Sequence, residues 1–324
     1  MISFTIITPV FNREDCIGRC IDSVVMQNYL AIEYWIVNDG SNDKTGAIVE
    51  SYVNRYPYIK YHKFKKNKGV NAARNYAIQN STGDFIIFLD SDDYFTENAL
   101  NIIQKQILSH PDYLHYLFAQ NDRMDYYNQN SLLNYRGSET VELNFSDFLS
   151  GKVTGDFAHI MSRSLIQPFP FDEKLRIYEI LNFLRIFKAG KKQLFLKIIV
   201  VERERNRFDS VTKESLLNNK KAMENQYLAL EETIALFAED YLNFHAKDIL
   251  NNQLKRVYIL GTALGYYFEN KRFEAFANKL GFKIPIIYRI IDRLKLGFLL
   301  RNGIFSYSLV KNRVAPLVKS RSKI

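Results

Sequence analysis

The sequence predicts an α/β protein in which a mainly parallel sheet carries helices on both faces and is followed by a helical C-terminal region. Three observations lead there. Through the first ninety residues short apolar runs alternate with stretches of helical period, and three polar clusters stand where such runs end. From Lys213 onward helical periodicity dominates.

Phe4 to Val10 reads as a buried strand, and Ile17, Cys20, Ile21, Val24 and Val25 then recur at helical spacing. A second apolar run, Tyr34 to Val37, ends at Asn38-Asp39-Gly40-Ser41; Ile48, Val49, Tyr52, Val53 and Tyr56 mark the helix face after it. Ile59 to Phe64 is a third strand. A loop from Lys65 to Gly69 precedes an Ala-rich helix from Val70 to about Asn80, and Phe85 to Leu89 is a fourth strand that runs straight into Asp90. In such β-α-β-α order ligands are expected at the carboxyl ends of strands. Thr8 to Arg13, Asn38 to Asp43 and Asp90 to Asp93 all fall there. Residues 100 to 210 are mixed, with a break at Pro168-Phe169-Pro170. A boundary near residue 212 gives a body, 1–212, and a helical region, 213–324.

A chain of 324 residues allows about two structural units, and 47% hydrophobic with 24% charged residues is ordinary globular usage. The net charge of +9 is unevenly placed. Residues 271–324 hold 13 Lys or Arg against Glu274 and Asp292, a local +11, so the rest is slightly acidic. That distribution excludes a uniformly basic nucleic-acid binder and describes a catalytic body with a basic tail. Met1-Ile2-Ser3 has no basic n-region, and Pro9, Asn12 and Arg13 break the following apolar stretch, so no secretory signal is read and a cytosolic protein is expected. Cys16 and Cys20 complete no metal-ligand set and read as buried thiols; His62, His110, His115, His159 and His245 have no metal spacing.

Asp90, Asp92 and Asp93 follow an apolar strand, where close carboxylates repel unless protonated, solvated or bridged by a cation. Mg²⁺ or Mn²⁺ resolves the conflict with one or two carboxylates plus phosphate oxygens, and would neutralise a departing nucleoside diphosphate. A helix N-cap before Phe95 to Ile103 is the alternative.

Thr8-Pro9-Val10-Phe11-Asn12, Asn38-Asp39-Gly40-Ser41, Gly69 with Ala73-Arg74-Asn75, and Leu89-Asp90-Ser91-Asp92-Asp93 occur in an order and spacing that resembles the family 2 glycosyltransferases, closely over residues 3 to 95 and more loosely from about 155 to 212. The resemblance implies the GT-A fold, inverting transfer and a nucleotide-sugar donor, most often UDP-linked. It divides the body into a nucleotide-binding half, 1–95, and an acceptor-side half, 96–212. It implies a nucleotide against Thr8, Pro9, Phe11, Asn12, Asp39, Asn67, Arg74, Asp90 and Ser91: Pro9 and Phe11 beside the base, Asp39 on its edge, Arg74 near the nucleotide and Asp90 near the ribose. Asp92 would hold the metal. For Asp39 an Asp-Gly turn is the alternative, and for Arg74 a solvated helix position.

Inverting transfer also needs a base for the acceptor hydroxyl. Relatives carry a Glu-Asp pair followed three residues later by an aromatic; here the segment is Tyr178-Glu179-Ile180-Leu181-Asn182-Phe183, with Ile180 in the Asp position. Glu179 is the candidate base. Otherwise it sits on an ordinary helix beside a core of Ile180, Phe183 and Leu184. Arg203, Arg205, Arg207 and Ser210 resemble a basic stretch that closes over the donor in relatives, and a solvated loop is the alternative.

Residues 284–318 mix apolar side chains with Arg289, Arg293, Lys295, Arg301, Lys311 and Arg313 and contain no charge-free membrane span. A helix lying on an anionic membrane, at the inner face of the plasma membrane, would use both features; a packed helical subdomain with its charges in water is the alternative. Expected partners are a nucleotide-sugar donor, a glycan or lipid-linked acceptor of the kind used for bacterial surface polysaccharide, and an anionic membrane surface through 271–324, with no nucleic acid. Two rivals stand beside this reading. A sugar nucleotidyltransferase would carry a Gly-rich phosphate loop where this chain has Pro9-Val10-Phe11-Asn12-Arg13, and a non-catalytic nucleotide-sugar-binding protein is suggested by Ile180.

Overall fold

The computed structural model describes residues 1–175, 178–204 and 220–303. The chain divides into two compact units, Met1–Arg207 and Phe208–Ile324. The boundary expected near residue 212 lies outside the described residues.

The first unit is built on one sheet of eight strands: β1 (Phe4–Val10), β2 (Ile32–Asn38), β3 (Ile59–Lys63), β4 (Phe85–Phe88), β6 (His115–Ala119), β7 (Thr140–Asn144), β8 (Ala158–Ser162) and β9 (Lys192–Ile199). Their order is β3-β2-β1-β4-β8-β6-β9-β7. The four strands read from the sequence run parallel, β6 is parallel to β9, and β8 and β7 are antiparallel to their neighbours. A separate two-stranded ribbon pairs β5 (Tyr94–Phe95) with β10 (Val201–Glu202).

The continuous apolar runs are explained by the two faces they serve. Along β1, Phe4, Ile6 and Val10 face one core with Ile36 and Ile87, under α1 (Ile17–Val25), α2 (Thr45–Val53) and, further along, α4 (Ala99–Ser109). Ile7, Val37 and Ile86 face the other, under α3 (Val70–Asn80). Both faces are covered, as parallel sheets require. Each such fully buried Ile is worth roughly 1.5–3 kcal/mol against exposure. Short helices α5 (Met124–Gln129), α6 (Phe145–Leu149) and α7 (Arg163–Ile166) punctuate the second half, and α8 (Ile180–Gly190) precedes β9.

A histidine pair, His115 buried and His159 half-buried, lies on the face α8 covers. His115 and His159 share one hydrogen bond, Nε2 to Nδ1 at 3.0 Å, while His159 stacks on Phe183 and His115 on Phe187. Burial holds both rings neutral: His159 is pushed down to about 3, helped by Arg74 and opposed by Asp156, and His115 falls well below the usual range by burial and the His159 charge. The unfolded chain therefore binds protons that the folded one refuses between pH 6.5 and about 3. Stability is full above pH 6.5 and is expected to fall by about 1.4 kcal/mol per histidine for each unit below it. Urea unfolding at pH 7 and 5 measures this, and equal unfolding free energies would contradict it.

The second unit contains α9 (Lys220–Asn243), α10 (Lys247–Leu264), α11 (Tyr267–Lys279) and α12 (Ile286–Arg293) among its described residues. Gly265, at φ +86°, ends α10 in the left-handed conformation that glycine adopts without strain. A buried polar knot joins three helices: Asn270 Nδ2 donates to Asp292 Oδ1 (2.6 Å) and to Thr262 Oγ1 (2.9 Å), and Thr262 donates to the same Asp292 oxygen (2.9 Å). The helical C-terminal region expected from sequence is present.

Candidate active site

The carboxyl ends of β1, β2 and β4 lie side by side, which brings the three polar clusters together. At the end of β1 the chain turns through Asn12, whose φ of 49° suits asparagine. Its backbone N–H donates to Ser41 Oγ and its Oδ1 accepts from the Asn42 N–H, tying the first two clusters. Phe11 is left 39% exposed beside them, and Pro9 is buried in the strand. Thr8 does not reach the cleft: it is fully buried, donating to the Leu89 carbonyl (2.8 Å) and meeting the Tyr34 hydroxyl (3.0 Å). Its side chain ties β1 to the end of β4.

Asp39 does something neither sequence reading anticipated. It is 4% exposed, and its two carboxylate oxygens accept the backbone N–H groups of Lys68 (2.7 Å) and Gly69 (2.8 Å). It clamps the loop holding the exposed Asn67 onto the end of β2. Gly40 permits the close approach: at φ +80°, a Cβ there would sit 2.8 Å from the Lys66 carbonyl carbon. Gly40→Ala should therefore cost about 1–3 kcal/mol through strain and displacement of that loop. An unchanged urea midpoint would show that the loop is not held this way.

The third cluster is not a helix cap. After Asp93 the chain enters β5, paired with β10, and α4 starts only at Ala99, so the capping alternative loses its helix. Arg19 pins the turn by donating to the Asp92 carbonyl (3.0 Å), pairing with Glu204 and covering the Tyr94 ring. Asp90 is exposed, Ser91 is buried and Asp92 is half-buried. Asp93 is buried, and burial, then the Asp90 and Asp92 charges, push its carboxyl up to about 8. Three carboxyl groups thus crowd one turn closely enough to disfavour full ionisation, an environment that suits a divalent cation. Among the described residues no three His, Cys, Asp or Glu side chains are arranged to hold an ion unaided.

Arg74, on α3, joins this cluster to α8. Its guanidinium donates to Asp90 Oδ1 (3.2 Å) and Glu179 Oε1 (3.5 Å), lies over Phe88 and Phe171, and keeps a buried Nε–H without a hydrogen-bond partner. It is not a solvated helix residue. Glu179 occupies the N-cap position of α8 with its side chain 25% exposed. Ile180, expected in the core on the ordinary-helix reading, is 59% exposed instead; Leu181, Leu184 and Phe187 supply the buried face of α8. A shallow recess beside Glu179 is lined by Asn71, Asp172, Tyr178 and Asn182 among others. The buried Oδ1 atoms of Asn71 and Asn182 have no hydrogen-bond partner, so its wall is short of donors.

Asn71 and Arg19 were not singled out from sequence. Asn71 and Asn75 of the Ala73-Arg74-Asn75 motif, four apart on the inner face of α3, fasten the 171–175 segment through the carbonyls of Asp172 and Phe171. Their spacing on an Ala-rich helix was the available signal; for Arg19 there was none. Arg203 is held by Asp156 (3.1 Å) and Asp122 (3.9 Å), while Arg205, Arg207 and Ser210 lie outside the described residues. Cys16 and Cys20 are buried free thiols, Cys20 raised to about 12 by burial.

A mainly parallel sheet with helices on both faces, polar residues gathered at its carboxyl edge and a helical C-terminal unit is the architecture of the GT-A class. The chain belongs to glycosyl transferase family 2, whose model matches residues 5–168. It is 31% identical over 183 residues to the glycosyltransferase GlyA of Streptococcus pneumoniae, covering 55% of this chain and 25% of that protein. To the GalNAc(5)-diNAcBac-PP-undecaprenol beta-1,3-glucosyltransferase of Campylobacter jejuni it is 26% identical over 190 residues, 58% of this chain and 60% of that one. The matches therefore span only part of these relatives. Among solved structures, S. aureus TarS 1-349 in complex with UDP-GlcNAc superposes with a TM-score of 0.62 at 20% identity, covering 97% of this chain and 92% of that chain.

Proposed function

We propose that this protein is an inverting glycosyltransferase that moves a sugar from a UDP-linked donor to a hydroxyl of a glycan or lipid-linked acceptor in bacterial surface polysaccharide synthesis. The observation that carries the reading is Arg74, which gathers Asp90 from the nucleotide-side half and Glu179 from the acceptor-side half into one cluster. The TarS structure with UDP-GlcNAc and the undecaprenol-linked name of the C. jejuni relative support the donor and acceptor classes.

In this reading the nucleotide lies against Pro9, Phe11, Asn12, Asn67, Arg74, Asp90 and Ser91, with Thr8 and Asp39 shaping the site from beneath. The exposed Phe11 ring offers a face to the base. Asp92 would hold Mn²⁺ or Mg²⁺, whose positive charge would offset that of the departing diphosphate. Glu179 takes the proton of the acceptor hydroxyl; the freed oxygen bonds to the anomeric carbon as the bond to the diphosphate breaks, inverting that carbon. The basic region 271–324 keeps the enzyme at an anionic membrane where a lipid-linked acceptor resides.

Titrating the protein with a panel of nucleotide sugars, with Mn²⁺ and with chelator, tests the core of the proposal. Metal-strengthened binding of at least one UDP-sugar is expected; equal affinity with chelator for every nucleotide sugar would refute the metal role. A second reading is favoured by the exposed Ile180 where relatives carry an acid: a binding protein without turnover. Release of free UDP on incubation with donor and acceptor distinguishes the enzyme from it.

A further inference from the structure

Within the second unit, α12 carries an apolar face that is left to solvent. Ile286, Ile287 and Ile290 are 68%, 54% and 45% exposed, and Leu294, just past the helix end, is 61% exposed. At 100° per residue these four fall within an arc of about 100°. Phe298 and Leu299, both about half exposed, continue the apolar surface beyond it.

The charges around this ridge are sorted. Between residues 275 and 303 the sequence has one acid, Asp292, and it faces inward, buried against Thr262 and Asn270. Lys283, Arg293 and Lys295 are exposed at the margins of the ridge. Arg289 is neutralised by Glu274 at 3.0 Å, with Arg293 reaching the same oxygen only at 3.9 Å. An apolar ridge rimmed by cations, with Asp292 turned inward and Glu274 taken up by Arg289, is complementary to an anionic lipid surface: aliphatic side chains enter the acyl boundary while ammonium and guanidinium groups meet phosphates. A second copy would bring cations against cations. The eight-residue helix cannot span a bilayer, and no helix among the described residues is long and apolar enough to do so.

We infer that this ridge docks the protein on the headgroup layer of an anionic membrane, with Ile286, Ile287, Ile290 and Leu294 inserted and Lys283, Arg293 and Lys295 on lipid phosphates. The inference specifies the membrane contact put forward above for 271–324 and does not depend on sugar transfer. The test is cosedimentation of the full chain with vesicles of phosphatidylglycerol and phosphatidylcholine, against phosphatidylcholine alone. Wild type should bind the anionic vesicles and weaken with salt. Ile290→Glu with Leu294→Glu, and separately Lys283→Glu with Lys295→Glu, should each lower partition by about tenfold or more. These side chains are exposed, so the helical circular dichroism should stay at the wild-type value.

Wild-type protein that ignores anionic vesicles would overturn the membrane contact altogether. Binding that survives both double variants would move the contact elsewhere in 271–324 and overturn the ridge. A wild-type oligomer that Ile290→Glu with Leu294→Glu dissociates, without vesicle binding, would make the ridge an interface between copies. Nucleotide-sugar binding measured on the same samples reports separately on the transferase reading, so neither failure can be mistaken for the other.

Discussion

Glu179→Gln is expected to slow sugar transfer by about 10² to 10⁴-fold while leaving donor affinity within about threefold of wild type. The amide keeps the size of the carboxylate and still presents an oxygen to Arg74 Nη1, which lies 3.5 Å from Glu179 Oε1. The N-cap position of α8 is also undisturbed, because Glu179 makes no side-chain capping hydrogen bond there. What is lost is the ability to take a proton. Steady-state rates of UDP release, set beside donor titration of the same variant, separate the two quantities. A variant as fast as wild type would send the search for the base to another carboxylate, of which Asp156 is already paired with Arg203 and Asp172 borders the recess. If wild type itself transfers nothing, the exposed Ile180 marks the loss of a base, and Ile180→Asp should create activity.

The N-terminal half of the sheet was legible because its strands are buried on both faces and joined by single helices, so each appears as an apolar run followed by a helical period. Phe4–Val10 and Val70–Asn80 are where the pattern places them. The second half was not legible. In β8, β6, β9 and β7 neighbours in space are not neighbours in sequence, and nothing local in Thr140–Asn144 says that it pairs with Lys192–Leu196 some fifty residues on. The same limit applied to side chains. The hold of Asp39 on the Lys68 and Gly69 N–H groups was not legible because they belong to a loop about thirty residues away. Capping by the Asp90 to Asp93 cluster is the alternative because aspartates favour a helix N-terminus and a helix is read over Phe95 to Ile103, while the short β5 ribbon, set by pairing with Val201–Glu202, leaves no periodic signal.

Asp92→Asn should abolish the divalent dependence of donor binding and lower donor affinity in Mn²⁺ by about 100-fold or more, since even supporting groups around a metal change affinity by about 10 to 100-fold. The fold should survive. The Asp92 carbonyl, not its side chain, receives Arg19, and the following residues are fixed by the β5–β10 pairing. The repulsion that helps push the buried Asp93 carboxyl up to about 8 should also ease, because an amide carries no charge. The metal dependence separates the proposed metal site from a purely structural role for Asp92: a structural aspartate would leave that dependence intact on substitution. Donor titrations with Mn²⁺ and with chelator, alongside thermal unfolding of both proteins, read the two quantities independently. If Mn²⁺ strengthens donor binding to the variant by the same factor as to wild type, Asp92 is not the ligand, and Asp90, exposed and already facing Arg74, becomes the carboxylate to replace next.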